Sequence, residues 1–409
     1  MPRRHALAVA LLGSTLLGST LSACGPEGAA PEADAPAPSV AEGAMAVPAA
    51  PGAVTPRLAL APDGTPLLSW TEPSGDGHAL RYALWTESGW SPAETADAGD
   101  DWFVNWADTP GVVPLGDGQL LAHTLTRHPE GESPYAYDVR IRQRMAGTWV
   151  PARLLHDDGV AAEHGFVSAV ALDGGSAGLV WLDGRNQGGS DHGHHAGDMT
   201  LRYARVAPDG TRSDEAELDA RTCDCCPTAA ARTDRGLVVA YRDRSPTEIR
   251  DIAVVRQVDG AWTEPAIPHA DGWEIAGCPV NGPALAAQGP RLALAWFTGV
   301  VPARVRLAVS DDGGATWGPA ERIDGGAPIG RVDVALLDDG TPVVVWLEGV
   351  GDTAEVRVRR AGSASQTVAT VEAGRASGVP HVVPLGDRAL VAWTAPDADD
   401  PIRTAVVVP

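Results

Sequence analysis

From about residue 55 onward the chain alternates between short apolar runs and polar turns, in a unit that recurs roughly every 50 residues. In each unit an apolar run leads into a turn containing Asp-Gly or Gly-Asp, and a second apolar run then ends in an aromatic residue. The clearest copies span 57–70 and 332–346. Short runs bounded by such turns predict β-strands joined by tight hairpins. The second runs end at Trp70, Trp181, Tyr241, Trp296, Trp346 and Trp393, with a degenerate copy at His123.

A third strand follows each second strand, and several units add a Trp-containing turn and a fourth strand, as in 89–93 and 260–266. Four-stranded antiparallel units without helical periodicity predict an all-β fold, a β-propeller. Seven such second strands, six with an aromatic end and the degenerate copy at His123, predict seven blades; six is the alternative, if one unit is a divergent insertion. Because the last unit stops after its third strand, we expect a strand from residues 44–54 to complete it and close the ring.

The N-terminus has the features of an export signal. Arg3, Arg4 and His5 precede an apolar stretch that is too short to span a bilayer comfortably, and Leu-Ser-Ala-Cys follows at 21–24. This ending resembles a bacterial lipobox, which implies a signal peptide over 1–23 and a lipid on Cys24. An ordinary signal peptide with a chance cysteine is the alternative.

The resemblance to lipoproteins also predicts the location of the protein. In Gram-negative lipoproteins a residue other than Asp after the cysteine, here Gly25, implies transfer to the outer membrane, so we expect a lipid-anchored protein of the cell envelope. Residues 24–54 are rich in Pro and Ala and almost free of large apolar side chains, which predicts a disordered tether. The predicted propeller domain covers 55–409.

Charge restricts the possible partners. The net charge is −22, and all 31 basic residues are arginine. Such acidity argues against nucleic acid, which needs a positive surface. The absence of lysine excludes a lysine Schiff-base mechanism. We therefore expect the partners to be the membrane, through Cys24, and a glycan or another small ligand.

One turn carries a specific motif. Residues 310–317 read Ser-Asp-Asp-Gly-Gly-Ala-Thr-Trp, which resembles the Asp-box, Ser-x-Asp-x-Gly-x-Thr-Trp, of the sialidase and BNR-repeat propellers. We expect Asp312 to accept hydrogen bonds from turn amides, Gly314 to adopt a left-handed backbone angle and Trp317 to anchor the turn. The motif is specific for architecture and does not define chemistry.

The unusual residues of the chain concentrate in loops that propeller geometry places on one face. These loops join second to third strands or cross into the next blade, and they belong to blades 3 to 5. Solvated charged loops are the simpler interpretation, but the Arg-Asp-Arg run at 242–244 begins where an apolar strand ends, which favours a site. The candidate acid/base carboxylates are Asp183, Asp243, Glu248 and Asp251, and the candidate substrate-binding residues are Arg185, Arg242, Arg244, Arg221, Arg250 and Asn281.

Four cysteines of the domain lie on the same face, at positions 223, 225, 226 and 278. In an exported protein, the favoured interpretation is two disulfide bridges, one of which joins Cys278 to the other three. The alternative is a copper or zinc site, because thiolates and imidazoles suit soft and borderline ions. The candidate metal ligands are Cys223, Cys225, Cys226, Cys278, His192, His194 and His195, with Met199 as a further candidate.

The resemblance to sialidases implies an exo-glycosidase that acts on carboxylate-bearing glycans and needs no cofactor. That family binds the sugar carboxylate with arginines, uses a Tyr activated by Glu as nucleophile, and uses an Asp as acid/base. A departure is that no Arg-Ile-Pro phrase occurs here, and no Glu partner can be assigned to Tyr135 or Tyr137, which lie on the expected face. A non-catalytic propeller that binds a glycan, a partner protein or a soft metal is the alternative, and a lyase would use the same arginines.

Overall fold

The computed structural model describes residues 44–187, 197–396 and 401–409. Within these residues the chain forms antiparallel sheets and no α-helix; the two helical segments are short 3₁₀ turns at Asp173–Gly175 and Arg375–Ser377. Each sheet is one blade of a propeller, and consecutive strands of a blade are neighbours.

The first four blades contain the following strands. Blade 1 has β1 (Val54–Leu60), β2 (Pro66–Ser74), β3 (Gly77–Thr86), β4 (Gly89–Trp90) and β5 (Glu94–Gly99); blade 2 has β6 (Gly111–Gly116), β7 (Gln119–Arg127), β8 (Tyr137–Met145), β9 (Thr148–Trp149) and β10 (Arg153–Leu154); blade 3 has β11 (His164–Ala171), β12 (Ala177–Asp183), β13 (Thr200–Val206) and β14 (Arg212–Asp219); blade 4 has β15 (Ala229–Thr233), β16 (Gly236–Arg242), β17 (Ile252–Val258) and β18 (Ala261–Trp262). In blades 1 and 2 the outermost strand is interrupted, so that two short strands pair with the third.

The remaining blades follow the same order. Blade 5 has β19 (Ala284–Gln288), β20 (Arg291–Thr298), β21 (Arg304–Ser310) and β22 (Glu321–Arg322); blade 6 has β23 (Pro328–Leu336), β24 (Pro342–Val350), β25 (Thr353–Arg360) and β26 (Gln366–Glu372); blade 7 has β27 (His381–Leu385), β28 (Arg388–Thr394) and β29 (Ile402–Val407).

The blades form a closed ring. The first strand of each blade contacts the first strand of the next, and β27 of blade 7 contacts β1 of blade 1. The prediction of an all-β propeller with seven blades is therefore confirmed, and the six-blade alternative is wrong. The unit with His123 in place of the aromatic residue, blade 2, is a true blade, and His123 is buried within it.

Blade 7 is completed from the other end of the domain, as the sequence predicts. Met45 forms an antiparallel bridge with Thr404 of β29, and its amide donates to the Thr404 carbonyl over 2.8 Å. The indole of Trp90 in blade 1 donates to the Thr404 hydroxyl over 2.9 Å. These contacts cover the outer edge of β29, which would otherwise expose unpaired backbone groups.

The aromatic residues that end the second strands share a buried pattern. Side chains two residues apart in a strand point to the same face, so an acidic residue two positions after the Trp can accept from its indole. Trp70 donates to Glu72 over 2.8 Å and Trp346 to Glu348 over 2.6 Å. This Trp-x-acid pair satisfies the buried indole N–H, which would otherwise lose its water partner without compensation.

The turn at residues 310–317 has the hydrogen bonds expected from its sequence. Asp312 accepts from the Thr316 amide over 2.9 Å and from the Thr316 hydroxyl over 2.6 Å. The amide of Gly314, whose φ is +80°, donates to the Ser310 hydroxyl over 2.9 Å. These bonds hold the carboxylate in its charged form and lower the pKa of Asp312 to about 2. The turn is thus built to be rigid.

Some predicted features lie outside the described residues. The signal peptide, Cys24 and most of the tether precede residue 44, and His192, His194 and His195 fall between residues 187 and 197. Among the helical segments that are described, none has the length and apolar character of a membrane span.

Candidate functional site

Three loops of blades 3 to 5 meet on the face where the first strands of the blades begin, which we call the upper face. The loop that enters blade 4 pairs with the loop after β16 through an antiparallel bridge between Thr222 and Asp243. The loop after β16 is tied to the loop that enters blade 5, because the Arg250 amide donates to the Trp273 carbonyl over 2.8 Å. The loops that carry the cysteines are therefore held by backbone hydrogen bonds.

The four cysteines come together at this junction. The sulfurs of Cys223, Cys225 and Cys226 lie within 4.8 Å of one another. Cys278, which comes from the loop entering blade 5, lies next to Cys225 and outside this group of three. Cys223 and Cys226 are buried, whereas Cys278 is exposed, so the cluster reaches from the interior to the surface of the upper face.

The expected disulfide bridges are not present. All four cysteines are free thiols in the structure. Cys225 lies among the other sulfurs, with Cys223 and Cys226 in one close group and Cys278 beside it. This geometry can support the metal-site alternative, with three sulfurs in a close group and a fourth at its edge.

The surroundings of the sulfurs favour thiolate at two positions. Burial alone would raise the pKa of Cys223, but hydrogen bonds from Cys225 and Cys226 and the charge of Arg250 lower it well below its ordinary value. The Arg250 guanidinium donates to the Cys223 sulfur over 3.3 Å. The hydrogen bond from Cys225 likewise lowers the pKa of Cys278. Cys223 and Cys278 are thus the sulfurs with the most thiolate character.

Arg242, a predicted substrate ligand, instead holds the loops together. It is only 2% exposed, and its guanidinium donates to three backbone carbonyls, those of Asn281, Arg250 and Phe297, over 2.6 to 2.8 Å. The guanidinium carbon also lies 4.8 Å from the centroid of the Trp273 ring. With three carbonyls and an aromatic face as partners, Arg242 has a structural role between blades 4 and 5.

The other arginines of this region are paired with carboxylates. Arg244 binds Glu248 over 2.8 Å and Asp224 over 3.2 Å, and Arg250 binds Glu248 over 2.8 Å. Hydrogen bonds from the Arg244 guanidinium lower the pKa of Glu248. Arg221 lies 3.5 Å from Asp198. Arg244, Arg250 and Glu248 therefore surround the cysteines as an ion-pair network.

The remaining predicted site residues of these loops mostly bind backbone. Asp251 accepts from the amides of Gly272 and Trp273 over 3.0 to 3.2 Å. Asn281 accepts from the Arg331 amide over 2.7 Å. Burial raises the pKa of Asp243, whose amide donates to the Asp251 carbonyl over 2.9 Å. These contacts shape the loops and leave the thiol cluster as the chemically distinctive element.

Asp183 and Arg185 form a separate group. Asp183 is the acid of a Trp-x-acid pair, accepting from Trp181 over 2.8 Å just as Glu72 and Glu348 do in their blades. It also accepts from Arg185 through two parallel bonds of 2.7 and 2.8 Å. Asp183 is fully buried. The repeat itself, Trp-x-acid, could have identified this carboxylate as structural from the sequence.

A further constellation on the upper face involves residues that the predicted site does not include. The Tyr137 hydroxyl donates to Asp108 over 2.6 Å and lies 3.0 Å from a carboxylate oxygen of Glu163. Burial raises the pKa of Glu163 to about 8, with added repulsion from Asp108, Asp224 and Cys278. Burial also raises the pKa of Asp108 to about 6.

This Tyr–Glu–Asp group borders the thiol cluster, because charges on Asp224 and Cys278 act on Glu163. The side chain of Tyr137 is fully buried and stacks on Phe103 with ring centroids 4.1 Å apart. Glu163 lies 26 positions after Tyr137 in the chain. No spacing rule links two positions on adjacent blades, so the sequence offered no signal for this pairing.

Comparisons with known proteins support the architecture. A scan against models of protein families and a search of curated proteins both gave no match. A solved polysaccharide lyase, an ulvan lyase bound to a -[GlcA(1-4)Rha3S]- saccharide, matches with a TM-score of 0.57 and 14% identity, over 89% of this chain and 96% of that chain.

A second ulvan lyase structure gives a TM-score of 0.53 and 13% identity, over 91% of this chain and 95% of that chain. A Hadza microbial sialidase has a TM-score of 0.49 and 14% identity, over 82% of this chain and 74% of that chain. Structural neighbours of this chain thus include polysaccharide lyases and sialidases. At these identities the similarity to the lyases establishes the propeller fold.

Proposed function

We propose that this protein is a metal-binding propeller of the cell envelope, and that the thiols of Cys223, Cys225, Cys226 and Cys278 bind a copper(I) or zinc(II) ion. The observation that carries the proposal is a group of three unbridged sulfurs within 4.8 Å of one another, with the free thiol of Cys278 from a second loop beside Cys225. Thiolates select these ions over hard cations. In this proposal the lipid on Cys24 anchors the protein to the outer membrane.

The loops around the cysteines support a site that exists before the ion arrives. The Cys223 amide donates to the Arg242 carbonyl over 3.0 Å, and the side chain of Arg242 in turn holds the carbonyl of Asn281, three residues after Cys278. This chain of contacts connects both cysteine-bearing segments to one buried guanidinium. A preorganised site binds more tightly, because less conformational entropy is lost on binding.

The positive charge of Arg250 beside the sulfurs also suits the binding of a monovalent or divalent cation by thiolates. Several thiolates around a single ion leave a net negative charge, and the guanidinium of Arg250, 3.3 Å from the Cys223 sulfur, offsets part of it. Glu248 accepts from both Arg244 and Arg250, which fixes the orientation of Arg250 toward the sulfur. Arg250 would thus act as an outer-shell residue that stabilises the thiolate.

Metal titration of the purified, reduced protein tests the proposal. We expect the thiol site to retain one equivalent of zinc(II) or copper(I) through dialysis, measured by elemental analysis as the difference between the wild type and the Cys226→Ser variant. The Cys226→Ser and Cys278→Ser variants are expected to lose affinity by at least tenfold, measured by competition with a chromophoric chelator. Cys24→Ser is the matched control, because it removes a cysteine outside the cluster and leaves the metal content unchanged. Equal retention by all three variants would refute the proposal.

A second function rests on a different observation, the contacts of Tyr137 with Glu163 and Asp108. Together these side chains provide the Tyr, Glu and Asp that the resemblance to sialidases implies for a glycosidase. We propose that they catalyse cleavage of a glycan if a movement of the upper face exposes Tyr137. The metal function ranks first, because the thiol cluster reaches the surface whereas the Tyr137 side chain is fully buried.

The glycosidase proposal is tested with a fluorogenic sialoside and with an unsaturated-product assay on a uronic-acid polysaccharide, which separates hydrolysis from elimination. We expect Tyr137→Phe to abolish turnover. Tyr135→Phe serves as the control, because Tyr135 is 47% exposed and its ring lies edge-on to that of Phe103. No turnover of either substrate by the wild-type protein, or full activity of Tyr137→Phe, would rule the proposal out.

A further inference from the structure

A second cluster of metal-binding side chains lies between blades 2 and 3, apart from the thiols. Asp138 comes from β8, His156 follows β10, and His164 begins β11. Asp138 is 5% exposed, His156 is 3% exposed and His164 is fully buried. One side-chain atom from each residue lies within 4.8 Å of the others. Three elements of two blades thus bring an oxygen and two nitrogens to one buried point.

The two imidazoles lie against each other. Their rings stack with centroids 3.8 Å apart and planes at 12°. The Nδ1 atom of His164 lies 3.3 Å from the Tyr137 carbonyl oxygen, whereas among the described residues the Nε2 atom of His156 has no hydrogen-bond partner. A buried ring nitrogen without a partner costs about 1–3 kcal/mol, so Nε2 of His156 requires a compensating interaction.

The distances fit a coordinated ion. Asp138 Oδ1 lies 3.6 Å from His156 Nε2 and 3.8 Å from His164 Nδ1. These separations are too long for hydrogen bonds. Two ligands bound at about 2.0–2.2 Å around a tetrahedral zinc ion are separated by about 3.4 Å. Because an imidazole nitrogen binds an ion in the plane of its ring, the two stacked rings would have to rotate out of their parallel arrangement, and contraction of the cluster would then give normal bond lengths.

The atoms that would not bind the ion are already oriented by carboxylates. The Nδ1 atom of His156 lies 2.9 Å from Asp158. The Nε2 atom of His164 faces Asp158 at 3.4 Å and Asp183 at 3.6 Å. Ligating histidines usually donate their second ring N–H to a carboxylate, which fixes the tautomer. Asp158 and Asp183 occupy that position for both rings.

From this arrangement we propose that Asp138, His156 and His164 bind a divalent ion of the zinc class between blades 2 and 3, independently of the thiol site. Two imidazoles and one carboxylate suit zinc(II), whereas the thiol cluster suits softer ions as well. The guanidinium of Arg185 neutralises Asp183 and also lies 3.3 Å from Asp158. The ion would balance the remaining carboxylate charge in this buried cluster.

The site also lies next to the Tyr–Glu pair. Asp138 follows Tyr137 in the chain, and His164 follows Glu163; Tyr137 and Glu163 form a parallel β-bridge. An ion bound by Asp138 and His164 would therefore fix the two segments that carry Tyr137 and Glu163. This gives the ion a structural role in joining two blades at the upper face.

Zinc binding is measured on the Cys223→Ser/Cys226→Ser double variant, so that the thiol site does not contribute. We expect one equivalent of zinc(II) in this variant, and we expect X-ray absorption to give a shell of nitrogen and oxygen without sulfur. When cobalt(II) is bound in place of zinc(II), we expect its absorption spectrum to show d–d bands and no thiolate-to-cobalt charge-transfer band. His156→Asn and Asp138→Asn, introduced into the wild-type protein, are each expected to remove one equivalent.

His123→Asn is the matched control, because His123 is equally buried but contacts a backbone carbonyl, that of Thr109, rather than a carboxylate. This variant should keep both equivalents. A folded double cysteine variant that binds no zinc, or a His156→Asn protein with the zinc content of the wild type, would overturn the proposal. The thiol proposal would survive either result if the wild type retained an ion that the Cys226→Ser protein lost.

Discussion

Replacing Arg242 by methionine tests whether this residue is a structural element or a free ligand for substrate. Methionine keeps most of the apolar volume and removes the guanidinium. The change deletes three hydrogen bonds to the carbonyls of Asn281, Arg250 and Phe297 and the contact with Trp273. It leaves these carbonyls without their charged donor in the junction of blades 4 and 5.

The magnitude follows from the charge and burial of the donor. Hydrogen bonds from a charged group contribute about 1.5–3 kcal/mol each, and Arg242 is 2% exposed, so water cannot readily replace it. Three such bonds give an expected loss of about 4.5–9 kcal/mol in the free energy of unfolding. This is a large part of the roughly 5–15 kcal/mol that stabilises a typical domain.

Urea unfolding followed by tryptophan fluorescence provides the measurement. Arg232→Met is the control, because Arg232 and its partner Asp173 are both exposed, and such surface pairs contribute about 0–1 kcal/mol. A loss below about 1 kcal/mol for Arg242→Met, equal to the control, would refute the structural role. It would also restore Arg242 as a candidate ligand for a sugar carboxylate.

Two further predictions concern Asp108 and the closure of the ring. Burial raises the pKa of Asp108 from 3.8 to about 6, so the folded state keeps this proton to a higher pH than the unfolded state does. The free energy of unfolding should therefore fall by about 3 kcal/mol as the pH rises from about 4 to 6. The Asp108→Asn variant should lack this part of the decline in unfolding experiments, and pH profiles identical to those of the wild type would contradict the assignment. Deletion of residues 44–50 removes the Met45 bridge and the packing of Val47 and Ala49. We expect the free energy of unfolding to fall by about 2–3 kcal/mol and light scattering to show concentration-dependent association. Deletion of residues 25–40 is the control and should leave the stability and the association state unchanged.

The propeller could be predicted from the sequence because its signals are local and repeated. The Asp-Gly turns and aromatic-ended strands recur in each unit, and the missing fourth strand of the last unit indicated the pairing that Met45 makes with Thr404. Blade 2 shows that the repeat as a whole predicts a blade better than any single residue does. His123 replaces the aromatic residue there, and the strands still pair as in the other blades.

The loops on the upper face were correctly expected to lie side by side, but the roles of their side chains depend on partners that are distant in sequence. Arg242 resembles a substrate ligand in the sequence, and only the positions of three carbonyls show that its guanidinium is already engaged. The same limit applies to Glu163 and Tyr137, which meet because two neighbouring blades place them together.

The bridge between Met45 and Thr404 also governs when the fold can be completed. These residues stand at opposite ends of the domain, so the bridge cannot form until β29 has been synthesised. Pairing over so large a sequence separation slows folding. The chain would therefore pass through a form with an open ring, in which the outer edge of β29 is exposed.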